Sequence, residues 1–472
     1  MKTPIIGGSY KAISPNAAAN RLVNLYPEMI PEGGKEPAFL SRTPGLRLLA
    51  TVGSGPIRGM HQFGGSGYVV SGSELYKLTS GFASSLIGVV SGTGPVSMAD
   101  NGVQLFVACN PDGYIYNSST LAFQQITDPD FPGAATVGYL DGYFVFNEPG
   151  TQKIWVTSLL DGTSIDPLEF ASAEGAPDNV VAIAVDHREV WVFGVNSVEV
   201  WYNSGALNFP LERIQGAFVE TGCAAAYSVV KIDNSLFWLG SDARGFGVVY
   251  KVNGYTATRV SNHAVELAIQ SYGDISDAIG FSYQQVGHAF FVLCFPSVGK
   301  TWVLDIATSE WHERAGFNGI AFVRHAANCY MAFANLPVVG SYSSGEIYTY
   351  DLEIYSDGAN PQKWLRSWRA VPAGKNSLMW LTHQKLQLDA EVGVGLVTGQ
   401  GSDPQVMLRW SDDGGHTWSN EHWATMGAIG VTRRRIIWQR LGISRDRVYE
   451  VSGTDPVKVV IMGAELSIGG TR

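Results

Sequence analysis

The sequence predicts an all-β protein in which a β-propeller of six or seven blades is followed by a small C-terminal β-sandwich. Three observations indicate this fold: a composition rich in glycine and aromatic residues, a hairpin pattern that recurs along the chain, and a change to longer alternating strands near residue 363. Charged residues make up only 16% of the 472 residues, and 55 glycines stand against 21 prolines. This composition suits short strands joined by tight turns and favours a folded chain over a disordered one.

Seven hairpins carry the repeat, and in each of them a polar turn leads into a second strand of alternating apolar or aromatic residues. The second strands are centred on Tyr76, Ile115, Trp155, Val200, Val249, Val303 and Tyr348, at steps of 39 to 54 residues. This spacing is typical of four-stranded propeller blades. One small sheet cannot bury both faces alone, whereas blades around an axis cover one another. We therefore predict a propeller over residues 51–362, with the N-terminal segment 1–50 supplying a strand that closes the ring.

Two segments depart from the repeat. The stretch 261–273 predicts a helix between two blades, with Ser261 or Asn262 as its N-cap. From about Lys363 onward, longer strands alternate apolar and polar residues, as in 383–397 and 457–468. Such alternation is typical of a half-buried antiparallel sheet. We therefore predict a β-sandwich over residues 363–472.

The net charge of −10 is divided unevenly between these two parts. Residues 363–472 hold 14 Lys and Arg against 10 Asp and Glu, a net +4, whereas residues 1–362 hold 18 against 32, a net −14. Affinity for phosphate comes largely from Lys and Arg that displace counterions, so we expect at most transient contact with DNA. No segment reaches the roughly 18 apolar residues of a transmembrane helix. The N-terminus also lacks the apolar run of a secretory signal, which predicts a protein made in a cytoplasm.

The sharpest local motif is SDDGGHTW, which matches the Asp-box turn of sialidases at Ser411, Asp413, Gly415, Thr417 and Trp418. These residue types suit a tight turn. Asp413 can accept hydrogen bonds from turn amides, Gly415 tolerates positive φ and Trp418 can pack beneath. We interpret the motif as structural, because it occurs once, outside the predicted propeller, and carries no chemistry of its own.

A basic cluster in the predicted sandwich is the second candidate site. Its docking candidates are Arg433, Arg435, Trp438, Arg440, Arg445 and Arg447. In a strand, Arg433 and Arg435 share one face while Arg434 takes the other. Two interpretations stay open. The cluster is either a solvated edge strand whose charges prevent aggregation, or a docking face for an acidic partner or DNA phosphate, since Arg and Trp favour interfaces.

Motifs of known chemistry are absent from the sequence, which has no GxSxG, no HExxH, no P-loop and no pair of CxxC motifs. We interpret His187 beside Asp186, and His312 beside Glu313, as solvated turn residues. The four dispersed cysteines predict buried free thiols. We therefore predict no enzymatic activity, no cofactor and no metal, although acidic residues in the propeller turns leave a glycosidase carboxylate pair open.

Several phrases and their order resemble a known family. They are RLVNLYPEMIP (21–31), FLSRTPGLRLL (39–49), GPIRGMHQFGG (55–65), GPVSMADNG (94–102), SDDGGHTWSNE (411–421) and RRRIIWQRLGISRDRVYEV (433–451). Together they resemble the tail-hub or packaged-DNA stabilisation proteins of short-tailed bacteriophages, along nearly the whole chain. The resemblance implies a homo-oligomer of six copies in the virion tail, assembled in the host cytoplasm. It also implies contacts with portal and adaptor proteins and with tail needle, tailspike or tail fibre proteins.

Two other classes of protein stay open on the sequence. The Asp-box turn and the aromatic content suit a carbohydrate-binding or sialidase-like propeller, which assays of glycan binding and hydrolysis would reveal. The segment TWVLDIATSEWHE (301–313) has the character of a kelch-type strand pair. A kelch-like scaffold would be a monomer with a peptide-binding face. Propellers serve many functions, so the fold alone does not choose among these classes.

Overall fold

The computed structural model describes residues 1–242, 245–372 and 379–471. Most of the regular structure in this part of the chain is β-strand. The exceptions among the described residues are the α-helix His263–Gln270 and the 3-10 turn Ala226–Ser228. The helix begins where the sequence predicts, and the Asn262 side chain caps it by accepting a hydrogen bond from the Val265 amide at 3.0 Å. Within the described residues no helix combines the length and apolar character needed to cross a membrane.

Seven groups of antiparallel strands follow one another along the chain, five as separate sheets and two as parts of larger ones, and we name them blades one to seven. Blade one comprises Ile57–Phe63, Ser66–Ser71, Glu74–Leu78 and Ser84–Val89. Blade two comprises Ser97–Asp100, Gln104–Ala108, Gly113–Asn117 and Phe123–Gln125. Blade three comprises Val137–Leu140, Tyr143–Asn147, Lys153–Val156 and Phe170–Ser172. Blade four comprises Val180–Asp186, Glu189–Gly194, Val198–Asn203 and Leu211–Val219.

The last three blades modify the pattern. Blade five comprises Gly222–Cys223 and Val230–Ile232, both paired with the next strand, then Ser235–Asp242, Gly245–Asn253 and Thr256–Arg259. Blade six comprises Ile279–Gln285, His288–Phe295, Lys300–Asp305 and Glu310–Glu313. Blade seven comprises Ala327–Phe333, Leu336–Ser341, Glu346–Asp351 and the N-terminal strand Gly45–Thr51. Two small pairs complete this part: Gly316–Phe317 with Phe322–Val323, and Ser356–Asp357 with Asn360–Pro361.

Each pair of neighbouring blades encloses an apolar core of its own, because the two faces of each sheet carry alternate side chains. Aromatic pairs mark these cores. The Phe106 and Phe144 rings lie 5.6 Å apart between blades two and three. Phe82 of blade one and Phe333 of blade seven lie 5.7 Å apart. The seven cores thus join each blade to the next and the last blade to the first.

The sandwich contains N-terminal strands in both of its sheets. One sheet continues from blade six through Ala19–Val23, Trp364–Arg369, Val448–Gly453, Gln405–Ser411 and His422–Thr425, with Tyr10–Lys11 beside Ala19–Val23. The other comprises Leu25–Met29, Ala38–Arg42, Val460–Thr471, Leu381–Ala390 and Ile436–Gln439, with Ile443–Ser444 beside Leu381–Ala390. Their shared core includes Leu22 and Leu40 from the N-terminal segment and Trp364 and Trp368 from the C-terminal part. Residues 1–50 therefore serve both domains.

Arg42 holds the sandwich against the end of the propeller. Its guanidinium is buried and donates hydrogen bonds to the carbonyl oxygens of Tyr355, Gln362, Asp455 and Val457. Burial lowers the pKa of Arg42 to about 10, so the side chain stays charged at neutral pH. One cation thus satisfies four backbone carbonyls from two distant parts of the chain.

Candidate docking surface

The basic run lies in an exposed turn, not in a strand. The strand begins at Ile436, so Arg433, Arg434 and Arg435 precede it, and all three are exposed. The prediction that Arg433 and Arg435 share one face of a strand is therefore wrong. The turn places them outside the sheet, where no ladder hydrogen bond sets an alternation of side chains.

Two of the predicted docking residues are buried inside the sandwich. The Trp438 indole lies in the core, and its N–H donates to the His422 carbonyl at 2.8 Å. Arg447 is also buried; its guanidinium contacts the two Asp412 carboxylate oxygens at 2.6 and 2.8 Å and donates to the Leu441 carbonyl. The prediction that Trp438 and Arg447 dock a partner is therefore wrong, because internal contacts already occupy their polar groups.

Arg440 and Arg445 remain exposed, as the docking prediction requires. Arg440 follows the strand with a φ of 59°, and the Arg445 guanidinium lies 4.9 Å from the centre of the exposed Trp380 ring. Neither residue, nor any of the three in the Arg turn, has an ion-pair partner within the part of the chain that the structure describes. Five arginines of the sandwich are therefore available to an external carboxylate or phosphate.

Exposed apolar side chains lie beside the Arg turn, on two loops that contact each other. Val397 is 80% exposed and Ile429 is 60% exposed, and Leu396 and Val431 are exposed as well. Glycines bring the two loops together: the Gly430 amide donates to the Gly393 carbonyl at 3.0 Å. We name the basic tip as the set Leu396, Val397, Ile429, Val431, Arg433, Arg434 and Arg435.

The loops of the basic tip are built for close approach. Gly393 has a φ of 76°, and a Cβ atom at this position would lie 3.0 Å from the Val431 carbonyl carbon. A Cβ atom at Gly395 would lie 3.0 Å from the Ile429 amide nitrogen. Larger residues would separate the loops. The tip is therefore held by backbone contacts, although its apolar side chains face solvent.

The SDDGGHTW turn satisfies its own polar groups. Asp413 accepts hydrogen bonds from the Ser411 hydroxyl at 2.6 Å, from the Thr417 hydroxyl at 2.6 Å and from the His416 amide at 3.0 Å. These bonds, that of Ser411 first, hold the pKa of the Asp413 carboxyl well below its usual range. Gly415 has a φ of 100°, and its amide donates to the Ser411 hydroxyl at 2.7 Å.

The same turn also contacts the rest of the sandwich and the N-terminal segment. The half-buried Trp418 ring lies 4.7 Å below the Arg409 guanidinium. A Cβ atom at Gly414 would lie 1.9 Å from the Asn16 side-chain oxygen, so the turn closely contacts the N-terminal segment. Contacts within and around the turn thus account for each fixed position of the motif.

The two histidines interpreted as solvated turn residues differ in their surroundings. His187 lies exposed in a turn, with its Nδ1 2.8 Å from the Asp186 carboxylate. His312 is fully buried near the Tyr26 and Phe290 rings, and burial lowers the pKa of its imidazole to about 3. The turn assignment is therefore wrong for His312, which packs in the core. Among the described residues no group of three or more His, Cys, Asp or Glu side chains is placed to hold a metal.

A seven-bladed propeller joined to a sandwich by shared N-terminal strands defines the class of this protein. Family models match both domains. Residues 1–355 match "Bacteriophage P22 Gp10, beta-propeller" and residues 363–469 match "Bacteriophage P22 Gp10, beta-sandwich". The chain belongs to the bacteriophage P22 Gp10 family, and it is a structural protein of the phage tail. The predicted fold class and the family resemblance are thereby confirmed.

Solved structures of other proteins are only weakly similar to this chain. The designed protein Ika8 is 12% identical, with 65% of this chain and 99% of that chain covered and a TM-score of 0.40. The extracellular domain of the putative one-component system BT4673 from B. thetaiotaomicron is 11% identical, with 87% and 58% covered and a TM-score of 0.44. A search of the curated proteins finds no significant match.

Proposed function

We propose that six copies of this protein form a ring-shaped hub below the portal and adaptor proteins, where the ring helps to retain packaged DNA and contacts the tail needle and the tailspikes or tail fibres. The protein works without enzymatic activity, cofactor or metal. Its membership of the P22 Gp10 family supports this role. The observation that carries the proposal is the β-sheet that runs from the propeller into the sandwich.

That sheet makes the two domains one mechanical unit. Val23 pairs in parallel with Glu313 of blade six, and the same strand pairs in antiparallel with Trp364–Arg369 of the sandwich. The Arg21 guanidinium spans the join, with two bonds of 2.8 and 2.9 Å to the Glu313 carboxylate. A hub under the pressure of packaged DNA needs such a join, because backbone hydrogen bonds resist shear better than a flexible linker.

The basic tip supplies the docking function. Its arginines are exposed and unpaired within the described residues, and its apolar side chains gain by leaving water at an interface. Opposite charge accelerates association and disfavours wrong partners. The tip therefore suits an acidic protein surface in the tail.

The acidic propeller suits a position near DNA without tight contact. Residues 1–362 carry a net charge of −14. Negative side chains on the wall of a channel through the proposed ring would repel DNA phosphates. DNA can therefore pass such a surface without adhering to it. Retention of the packaged DNA is then achieved by closing the channel rather than by binding DNA.

Reversing charge at the tip tests the docking function. The variant Arg433→Glu/Arg435→Glu should fold normally and enter particles less efficiently, and docking should weaken as ionic strength rises. Lys11→Glu/Lys300→Glu is a matched control, because it changes the charge equally at two exposed cations outside the tip that, like the tip arginines, form no ion pair among the described residues. Normal incorporation of the tip variant would contradict docking through this surface.

Particles that lack the protein should leak DNA after packaging, and full DNA retention would contradict the stabilising role.

A further inference from the structure

A second unpartnered surface lies on the propeller, between the outer strands of blades three and four. It is a groove of about 350 Å³ between Phe170–Ser172 and Leu211–Val219. Its floor is apolar and its rim is acidic. We name the acidic groove as the set Phe170, Trp201, Phe209, Leu211, Glu174 and Glu212.

Among the described residues, the exposed carboxylates of the groove form no ion pair, whereas the cations beside it do: the Lys153 ammonium, 4.6 Å from the centre of the Phe170 ring, pairs with Glu148. Glu174 and Glu212 are exposed, and neither forms an ion pair in the part of the chain described here. Glu212 accepts a hydrogen bond only from the Tyr202 hydroxyl, at 3.2 Å, among its described contacts. The one arginine in the lining, Arg213, lies 3.6 Å from the buried Glu199 carboxylate and is therefore already balanced.

Two exposed leucines lie close in sequence to aromatic residues that line the groove. Leu207 is 99% exposed and precedes Phe209 by two residues, and the exposed Leu168 precedes Phe170 by two residues. Large apolar side chains held in water beside an apolar groove indicate a contact surface. The groove thus combines apolar contact with negative charge, which is the complement of the basic tip.

The two surfaces belong to different parts of the molecule. The sandwich, which carries the basic tip, joins the propeller at blade six through the strand Ala19–Val23. In a ring of seven blades, blade four lies two blades away from blade six and blade three lies three blades away, which is the largest separation that such a ring allows. A contact between tip and groove therefore joins two molecules head to tail, and repetition of such a contact closes a ring when the rotation permits.

We propose that the acidic groove of one copy receives the basic tip of the next copy. This inference rests on the proposed function and names the acidic partner of the tip as a second copy of this chain. The apolar side chains of the tip pack on the aromatic floor, and Arg433 and Arg435 pair with Glu174 and Glu212. Charge selects this occupant over DNA, because the groove repels phosphate and the propeller as a whole is acidic.

Charge exchange tests the pairing. Self-association of the purified full-length protein is measured by sedimentation velocity at low ionic strength. Arg433→Glu/Arg435→Glu and Glu174→Lys/Glu212→Lys should each weaken association by about tenfold or more. The combined quadruple variant should recover most of the loss, because the opposite charges face each other again. Lys11→Glu/Lys300→Glu, at two exposed cations outside both surfaces, should associate like the unaltered protein, and thermal unfolding confirms that every variant is folded.

Crosslinking tests the location. One preparation carries Val397→Cys, the other carries Leu207→Cys, and the mixture is treated with a short bismaleimide. We expect a crosslinked dimer only in the mixture, since the two surfaces meet between different copies. The unaltered protein is the control, because Cys109, Cys223 and Cys294 are buried and Cys329 is half-buried.

Each alternative result has a distinct meaning. The pairing of tip and groove is overturned if neither charge reversal weakens self-association. It is also overturned if the quadruple variant does not recover the association that the double variants lose. A protein that stays monomeric, but whose incorporation into particles still depends on Arg433 and Arg435, overturns the inference and leaves the proposed function standing. A monomer whose incorporation is also independent of these residues overturns both.

Discussion

The propeller and the sandwich are built from strands of very different separation along the chain. Blade one uses only residues between 57 and 89, and blades two to six are equally local. The sandwich joins strands of residues 19–42 to strands more than 300 residues later, as in the pairing of Leu40 with Ile461. Local pairing leaves a period in the sequence, whereas distant pairing leaves none. The sandwich therefore depends on N-terminal strands that cannot be predicted from the sequence of residues 363–472.

The two domains also differ in what their net charges mean. The +4 of residues 363–472 includes Arg366 and Arg447, which are buried and bonded to internal acceptors. The basic tip is therefore a local feature of one end of the sandwich rather than a property of its whole surface. Net charge read from the sequence identifies the positive domain, but only burial shows which arginines can meet a partner.

The largest loss of stability should come from removing the contacts that Arg42 makes between distant segments of the chain. Replacing Arg42 by Ala leaves several buried carbonyl groups without donors, so the free energy of unfolding should fall by about 3 kcal/mol or more. Urea unfolding followed by tryptophan fluorescence measures the change. Arg188→Ala, at an exposed ion pair with Asp141, should change it by less than about 0.5 kcal/mol. Equal effects of the two variants would contradict the role assigned to Arg42.

A smaller effect should separate the buried and exposed arginines of the sandwich. Arg447→Ala removes the partner of Asp412 and the donor to the Leu441 carbonyl, and should cost about 2 kcal/mol. Arg433→Ala removes no described contact and should cost less than about 0.5 kcal/mol. Denaturant titrations of both proteins give the comparison. A costly Arg433→Ala would show that the turn contributes to stability and not only to docking.

The buried His312 should make stability depend on pH. Its pKa is about 3 in the folded state, against 6.5 for the free side chain, so the unfolded chain binds the proton first. The free energy of unfolding should therefore fall as the pH drops below about 6.5. Burial also lowers the pKa values of His325 and His383. His312→Phe should therefore reduce this dependence without abolishing it, whereas the exposed His187→Phe should leave it unchanged. Identical pH profiles for the unaltered and His312→Phe proteins would contradict this account.

The smallest effect should come from the Asp-box turn. Gly415→Ala forces a side chain into a φ of 100° and should cost about 1 kcal/mol. Asp413→Ala should also destabilise the sandwich, and its effect should shrink as pH falls through the range in which the carboxyl is protonated, because the folded pKa of Asp413 is lowered. Thermal unfolding measures both. Loss of a hydrolase activity in a folded variant would instead favour the carbohydrate-active class.

The sequence by itself determined the propeller, the sandwich, the helix and the family. Periodic hairpins, alternating strands and the Asn262 cap are local patterns, and local patterns are visible in the sequence alone. The tertiary structure alone decided which side chains are available. Trp438 and Arg447 belong to the same basic cluster of the sequence as Arg433, yet they are buried and therefore absent from the surface. The tertiary structure also decided that the N-terminal strands complete the sandwich. The backbone N–H and C=O groups of a strand can pair with any strand that lies beside it, whatever the distance between the two along the chain.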